Sequence, residues 1–149
     1  MNGEILKKQT IMFVIMAIVG ILFNPMNILA YRETDLFLSL TLFYGGLLMA
    51  SNMMWSHEIV HFLYMGHFNV IIFFIGLALS VSISIYLLRE QYLITDEQWL
   101  KRMISHHSTA LTTSHKIMNR TNNPEVKKLA AEIIETQEKE ITLMKKLIQ

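Results

Sequence analysis

The chain has 149 residues, room for one ordinary domain, and its 52% apolar content is high for a soluble one. It has no Cys, which excludes disulfides, thiolate zinc sites and cysteine nucleophiles, so any metal must be held by His, Met, carboxylate or amide. The formal net charge of +1, with no basic face once the C-terminal acids are counted, excludes a nucleic-acid partner.

Charge is unevenly placed. From Arg89 onward lie 10 of the 13 Lys/Arg and 8 of the 12 Asp/Glu, so the first 88 residues read as a lipid-embedded part. Three apolar runs, at about residues 11–31, 36–55 and 68–88, each reach the roughly 20 residues that a bilayer core demands. The first contains Asn24-Pro25, which is expected to kink the helix without ending it. In the second, Gly45-Gly46 offers a close-packing surface for a neighbour, and in the third Ser80, Ser82 and Ser84 can bond within or between helices. Lys7-Lys8 before the first run also resemble the start of a signal peptide. Ile28 and Ala30, however, fit a small-x-small cleavage site poorly, so a retained anchor is expected. The Lys/Arg count across the loops is close to a tie. Lys7 and Lys8 favour a cytoplasmic N-terminus, and long C-terminal segments are often translocated whatever their charge. The expected topology is therefore a multi-pass protein with the residues after Arg89 on the external or periplasmic side.

From Thr95 the pattern is that of soluble amphipathic helices. Thr95 or Asp96 can cap a helix, whose apolar face runs through Leu100, Met103, Ile104, His107, Ala110, Leu111, Ser114, Ile117 and Met118. Asn119–Asn123 form a turn, and Asn123-Pro124 is a strong start signal for the next helix. That helix is expected to bury Val126, Leu129, Ala130, Ile133, Ile134, Ile141, Met144, Leu147 and Ile148, with Gln137 interrupting the stripe. Folding the pair into a hairpin places Gln137 opposite His107, and Glu140 and Ile141 opposite Met103 and Ile104, to within a turn. Polar exceptions on two apolar faces then meet at one level. An unpartnered buried polar group costs about 1–3 kcal/mol, so the coincidence points to a hydrogen-bonded layer or a ligand shell.

The run from Trp99 through Met103, His106, His107 and Ala110, then Asn123-Pro124, Leu129-Ala130 and Gln137-Glu-Lys-Glu140-Ile141-Thr-Leu-Met144, resembles the DUF305 family. That family comprises ferritin-like helical proteins, many exported, some associated with copper tolerance and copper binding. The likeness covers about the last 55 residues, and the upstream Leu87–Gln91 resembles a membrane-anchored subgroup. Ser105 stands where the family commonly has proline, and His115 is not a motif position. The resemblance implies Met103, His106, His107, Gln137, Glu140 and Met144 as metal ligands. Imidazole with thioether also suits copper on chemical grounds alone. Structural packing stands beside this reading, because Met at helical spacing is more often core filler and His on an apolar face more often a satisfied core residue.

A second motif, His57-Glu58-Ile59-Val60-His61, matches H-E-x-x-H, in which two His one turn apart bind zinc and the Glu serves as general base. It lies at a membrane edge, no third ligand follows at an established spacing, and the chain is short for a substrate cleft. An interfacial His pair, with His67 available to add to metal capture, is preferred.

The expectation is thus an all-α protein: a membrane anchor over 1–91 with three transmembrane helices, then over 95–149 a ferritin-like helical hairpin, half of a four-helix bundle. Its expected role is non-enzymatic binding or buffering of a transition metal, copper first, with the lipid bilayer as partner and a homodimer completing the bundle. A structural module whose hairpin pairs subunits without metal is the alternative, and a membrane zinc peptidase the third.

Overall fold

The computed structural model describes residues 3–148, whose regular elements are all helical, without a strand among them. The elements are α1 (Gly3–Leu22), α2 (Pro25–Ile28), a single 3₁₀ turn (Glu33–Asp35), α3 (Leu40–Met65), α4 (Val70–Ser82) continuing into a π-helix (Ile83–Arg89), α5 (Asp96–Met118) and α6 (Pro124–Ile148). They form two compact units, residues 3–22 with Leu40–Leu93, and Phe23–Ser39 with residues 94–148.

In the first unit α3 packs against both α1 and α4. Glycines set these contacts. A Cβ on Gly46 would lie 2.7 Å from the Ala17 carbonyl oxygen and 2.6 Å from Ile21 Cγ1, and one on Gly76 would lie 2.9 Å from Trp55 N. Backbones this close are the geometry that small residues permit between helices in lipid. The outward surface is apolar, with Ile11, Val14, Ile15, Ile18, Phe74 and Val81 all exposed, the inverse of a soluble bundle. Gly3–Ile28 and Val70–Arg89 are long and apolar enough to cross a membrane.

Two expectations are corrected here and a third is refined. The first apolar run is helical from Gly3 but ends at Leu22, because Asn24 turns its side chain onto Met26 N (3.0 Å) and starts the separate α2. The expected span at 36–55 begins only at Leu40. α3 also falls outside the class apolar enough to span, since Asn52, Ser56, His57, Glu58 and His61 dilute its C-terminal half. The third run, expected over 68–88, is borne out as Val70–Arg89, with the added detail that it is not uniformly α. Its last turns widen into the π-helix, with Glu90 N bonded to Ile85 O and Tyr92 N to Leu87 O.

The second unit is an antiparallel α5/α6 hairpin. Thr95 caps α5 through Gln98 N, and Asn123 caps α6 through Glu125 N at 2.9 Å with Pro124 in the first position, as the sequence predicts. Leu100, Ile104, Leu111, Ile141 and Met144 form its buried core, with Phe37 packed against them. Residues Phe23–Ser39, expected to belong with the anchor, therefore form a strap across one face of the hairpin. A wholly buried Asp35 anchors it: its Oδ2 accepts from Ser108 Oγ at 2.7 Å and its Oδ1 pairs with Lys145 Nζ. Ser105 Oγ donates to Asp35 O (2.9 Å), and Tyr31 N donates to Ser108 Oγ (2.8 Å). Arg32 adds a bidentate pair with Glu138.

Candidate functional site

α5 presents His107 toward α6 because positions 100, 104, 107 and 111 share one face of a 3.6-residue helix. His107 Nδ1 lies 3.0 Å from Glu140 Oε2, and Gln137 Nε2 donates to the same oxygen at 3.5 Å. The Nδ1 atom is buried, and although at ion-pair distance it is not aligned for a hydrogen bond to Glu140 or to any other group. One imidazole, one carboxylate and one amide thus meet at one level. The expected register holds to within its one-turn tolerance: Glu140 stands directly against His107, and Gln137 reaches the same carboxylate.

The remaining predicted donors are distributed around this layer. Met144 is buried in the hairpin core and Met103 packs against it, each one helical turn from Glu140 and His107 respectively. His106 is exposed, its ring centre 6.0 Å from that of His107. Adjacent residues on a helix point about 100° apart, so only one of the pair can face inward. Partial desolvation against the helix surface lowers the pKa of the exposed His106 from its ordinary value, and the electrostatic influence of His107 and Arg102 pushes the same way. The shift favours the neutral ring, the form with a lone pair to offer. Among the described residues no three His, Asp or Glu side chains already converge as a metal group.

His115 is stacked on Tyr31, centroids 4.8 Å apart at 15°, with Arg32 above the other ring at 5.4 Å. Its part is in holding the strap. The strap's own polar contacts, Asp35 above all, escaped the sequence reading. Their signal was the run Ser105, Ser108, Thr109 and Thr112, small polar residues at three-four spacing on the α5 face beside the apolar one.

The H-E-x-x-H residues lie in the first unit. Glu58 is buried, its Oε2 accepts from Asn69 N at 3.0 Å, and Gln9 Nε2 reaches its Oε1 at 3.5 Å. The carboxylate is thus engaged at the start of α4. His57 and His61 stack, ring centres 5.9 Å apart, at the edge of a cleft of about 570 Å³ between α1, α3 and the start of α4.

Residues 88–148 match the family model described as Domain of unknown function (DUF305). Over 142 residues the chain is 34% identical to "Uncharacterized protein L153" of Acanthamoeba polyphaga mimivirus, an alignment covering 95% of this chain and 91% of that protein. No solved structure matches the chain. With the matched segment spanning the whole α5/α6 hairpin and its His107–Glu140 layer, the chain belongs to the DUF305 family.

Proposed function

We propose that this chain is a membrane-anchored protein that binds or buffers a transition-metal ion, copper first, at its hairpin, without a catalytic role. The observation that carries the reading is His107 Nδ1, a buried ring nitrogen 3.0 Å from a carboxylate oxygen without an aligned hydrogen bond. An imidazole nitrogen beside a carboxylate is a donor pair. Gln137 and His106 add an amide and a second imidazole, and Met103 and Met144 supply thioethers one turn away. Nitrogen with thioether is the set that soft copper accepts. Copper would bring affinity for these donors, and the chain's own part is to hold them at the flank of a packed hairpin.

We further propose that α3 also crosses the bilayer. Ile5, Lys8, Gln9 and Met12 of α1 and Asn69–Ile72 at the start of α4 line one cleft, so the two apolar helices begin at the same end of their unit. For both to span, the chain must return between them, and α3 makes that return. With Lys7-Lys8 inside, residues 94–148 then fall on the external side.

The test is a Cu(I) titration, under reducing conditions and against a competing chelator, of the full chain in detergent. One ion per hairpin is expected, lost in the His106→Ala/His107→Ala double variant and weakened by Met144→Leu. Binding unchanged in both would remove the metal from the hairpin and leave the interaction module.

A further inference from the structure

The first unit holds a cluster of imidazoles that the hairpin does not use. His57, His61 and His67 all line the cleft between α1, α3 and α4. His57 and His61 are one turn apart on α3. His67 returns to them because Gly66, at φ +68°, ends α3 in the left-handed conformation that other residues adopt only with strain. The ring centres of His61 and His67 are 6.3 Å apart.

The tautomers of two rings follow from their partners. His61 Nδ1 lies 3.1 Å from the His67 carbonyl oxygen, and His67 Nδ1 lies 2.9 Å from the Met65 carbonyl oxygen. A carbonyl can only accept, so both Nδ1 atoms carry the proton, and in the neutral rings Nε2 keeps the lone pair. A ring N–H fixed on a carbonyl, with the other nitrogen free, is the arrangement of a metal-ligating His. His57 adds an independent observation. Its Nδ1 is buried without a hydrogen-bond partner, as is Gln9 Oε1 in the same cleft. The carboxylate oxygen Glu58 Oε1 stands 3.9 Å away. Turning the ring to close that gap would form a carboxylate–imidazole pair and leave Nε2 of His57 for a ligand.

We propose that His57, His61 and His67 form a second, imidazole-based site for a divalent transition-metal ion of the zinc type, at the mouth of this cleft and distinct from the hairpin. Imidazoles on one tetrahedral ion, with metal–nitrogen bonds of about 2.0–2.1 Å, have ring centres about 5 Å apart, so the His57–His61 and His61–His67 pairs, at 5.9 and 6.3 Å, must each close by roughly 1 Å, and His57, nearly parallel to His61, must also turn toward the shared ion. Half-buried and exposed side chains at the end of a helix have that freedom. Because Glu58 is held by the Asn69 amide and by Gln9, the site is for binding rather than hydrolysis. Thiolate, which zinc would otherwise choose, is absent from the chain, so imidazole is the strongest nitrogen donor available to it.

The experiment is a calorimetric Zn(II) titration of the chelator-treated full chain in detergent, in the His106→Ala/His107→Ala background so that the hairpin cannot contribute. About one Zn(II) per chain is expected. His61→Ala and His67→Ala should each weaken it at least tenfold, whereas His115→Ala, outside the cleft, should leave it unchanged. Helix content measured alongside separates ligand loss from misfolding, and His67→Gln provides a second variant at an exposed position. Absence of Zn(II) binding in the hairpin-silent protein, or equal affinity after His61→Ala and His67→Ala, would overturn the proposal. Neither result would bear on copper at the hairpin.

Discussion

Ser108 Oγ donates to Asp35 Oδ2 at 2.7 Å, and both side chains are shut off from solvent. This contact joins a loop from between the first two long helices to a hairpin more than 70 residues later, and it makes the strap a structural part of the candidate site's scaffold. Asp35 is also paired with Lys145, whose side chain is 31% exposed, so the pair is asymmetric. A buried carboxylate left without its cation costs more than a half-exposed ammonium left without its anion. Lys145→Ala should therefore destabilise the hairpin by about 3 kcal/mol. Asp35→Asn, which keeps a hydrogen-bond partner for Ser108, should cost about 1–2 kcal/mol. Chemical denaturation in detergent, with hydrogen exchange of α5 and α6 amides as the local readout, checks the order. Equal costs would mean that solvent reaches Asp35.

The local signals in the sequence were reliable where the physics is local. Thr95 and Asn123-Pro124 begin helices because a side-chain oxygen beside free amides needs no distant partner. Gly46 marked a close helix contact because only a missing Cβ permits it. The start of α3 was misplaced because Leu36–Ser39 lie with the strap, where Phe37 packs on the hairpin core, a long-range burial invisible to periodicity. The expected apolar faces of α5 and α6 were wider than two helices can cover, so Ile117, Leu129 and Leu147 stand exposed.

Gly46 gives the clearest prediction for the first unit. A methyl group there would meet the Ala17 carbonyl oxygen at 2.7 Å, a backbone atom that cannot rotate away. Gly46→Ala should lower the thermal midpoint of the detergent-solubilised chain and Gly46→Val should lower it further, each by separation of α1 from α3 at a cost of about 1–3 kcal/mol. Gly3→Ala, with nothing within 4 Å of its added Cβ, is the control. A Gly46→Val protein as stable as the parent would mean that α1 and α3 do not pack at this point.

His106 predicts a pH dependence. Burial disfavours its charged form and sets its folded value below the ordinary one. Between that lowered value and the unfolded value of about 6.5, the unfolded chain binds more protons. Stability of the metal-free protein therefore rises with pH through this window. The penalty is fully present below the folded value and gone above about pH 6.5. His106→Gln should flatten that acid-side slope while leaving stability at pH 8 nearly unchanged. Denaturation midpoints at a series of pH values measure it, and an undiminished slope would assign the proton to another group.

The strap covers only one face of the hairpin. Glu138 and Lys145 point to it and hold Arg32 and Asp35. On the opposite flank Leu129 is 57% exposed, Leu143 57% and Leu147 63%, with Trp99 and Ile117 of α5 exposed beside them. By helical angle Glu140 and His106 lie on this same flank, so whatever covers it also encloses the candidate metal layer. A four-helix bundle closes its core with four helices where this hairpin supplies two, and a two-fold pairing of identical flanks is the simplest closure. The expected result is a particle of two chains in mild detergent. Leu143→Asp should reduce it to one chain with helix content retained, and Cu(I) affinity should fall with it, although no proposed ligand has been altered. A parent protein that is monomeric at every concentration tested, or a Leu143→Asp dimer that persists, would sink this pairing and leave each hairpin to bind its metal alone.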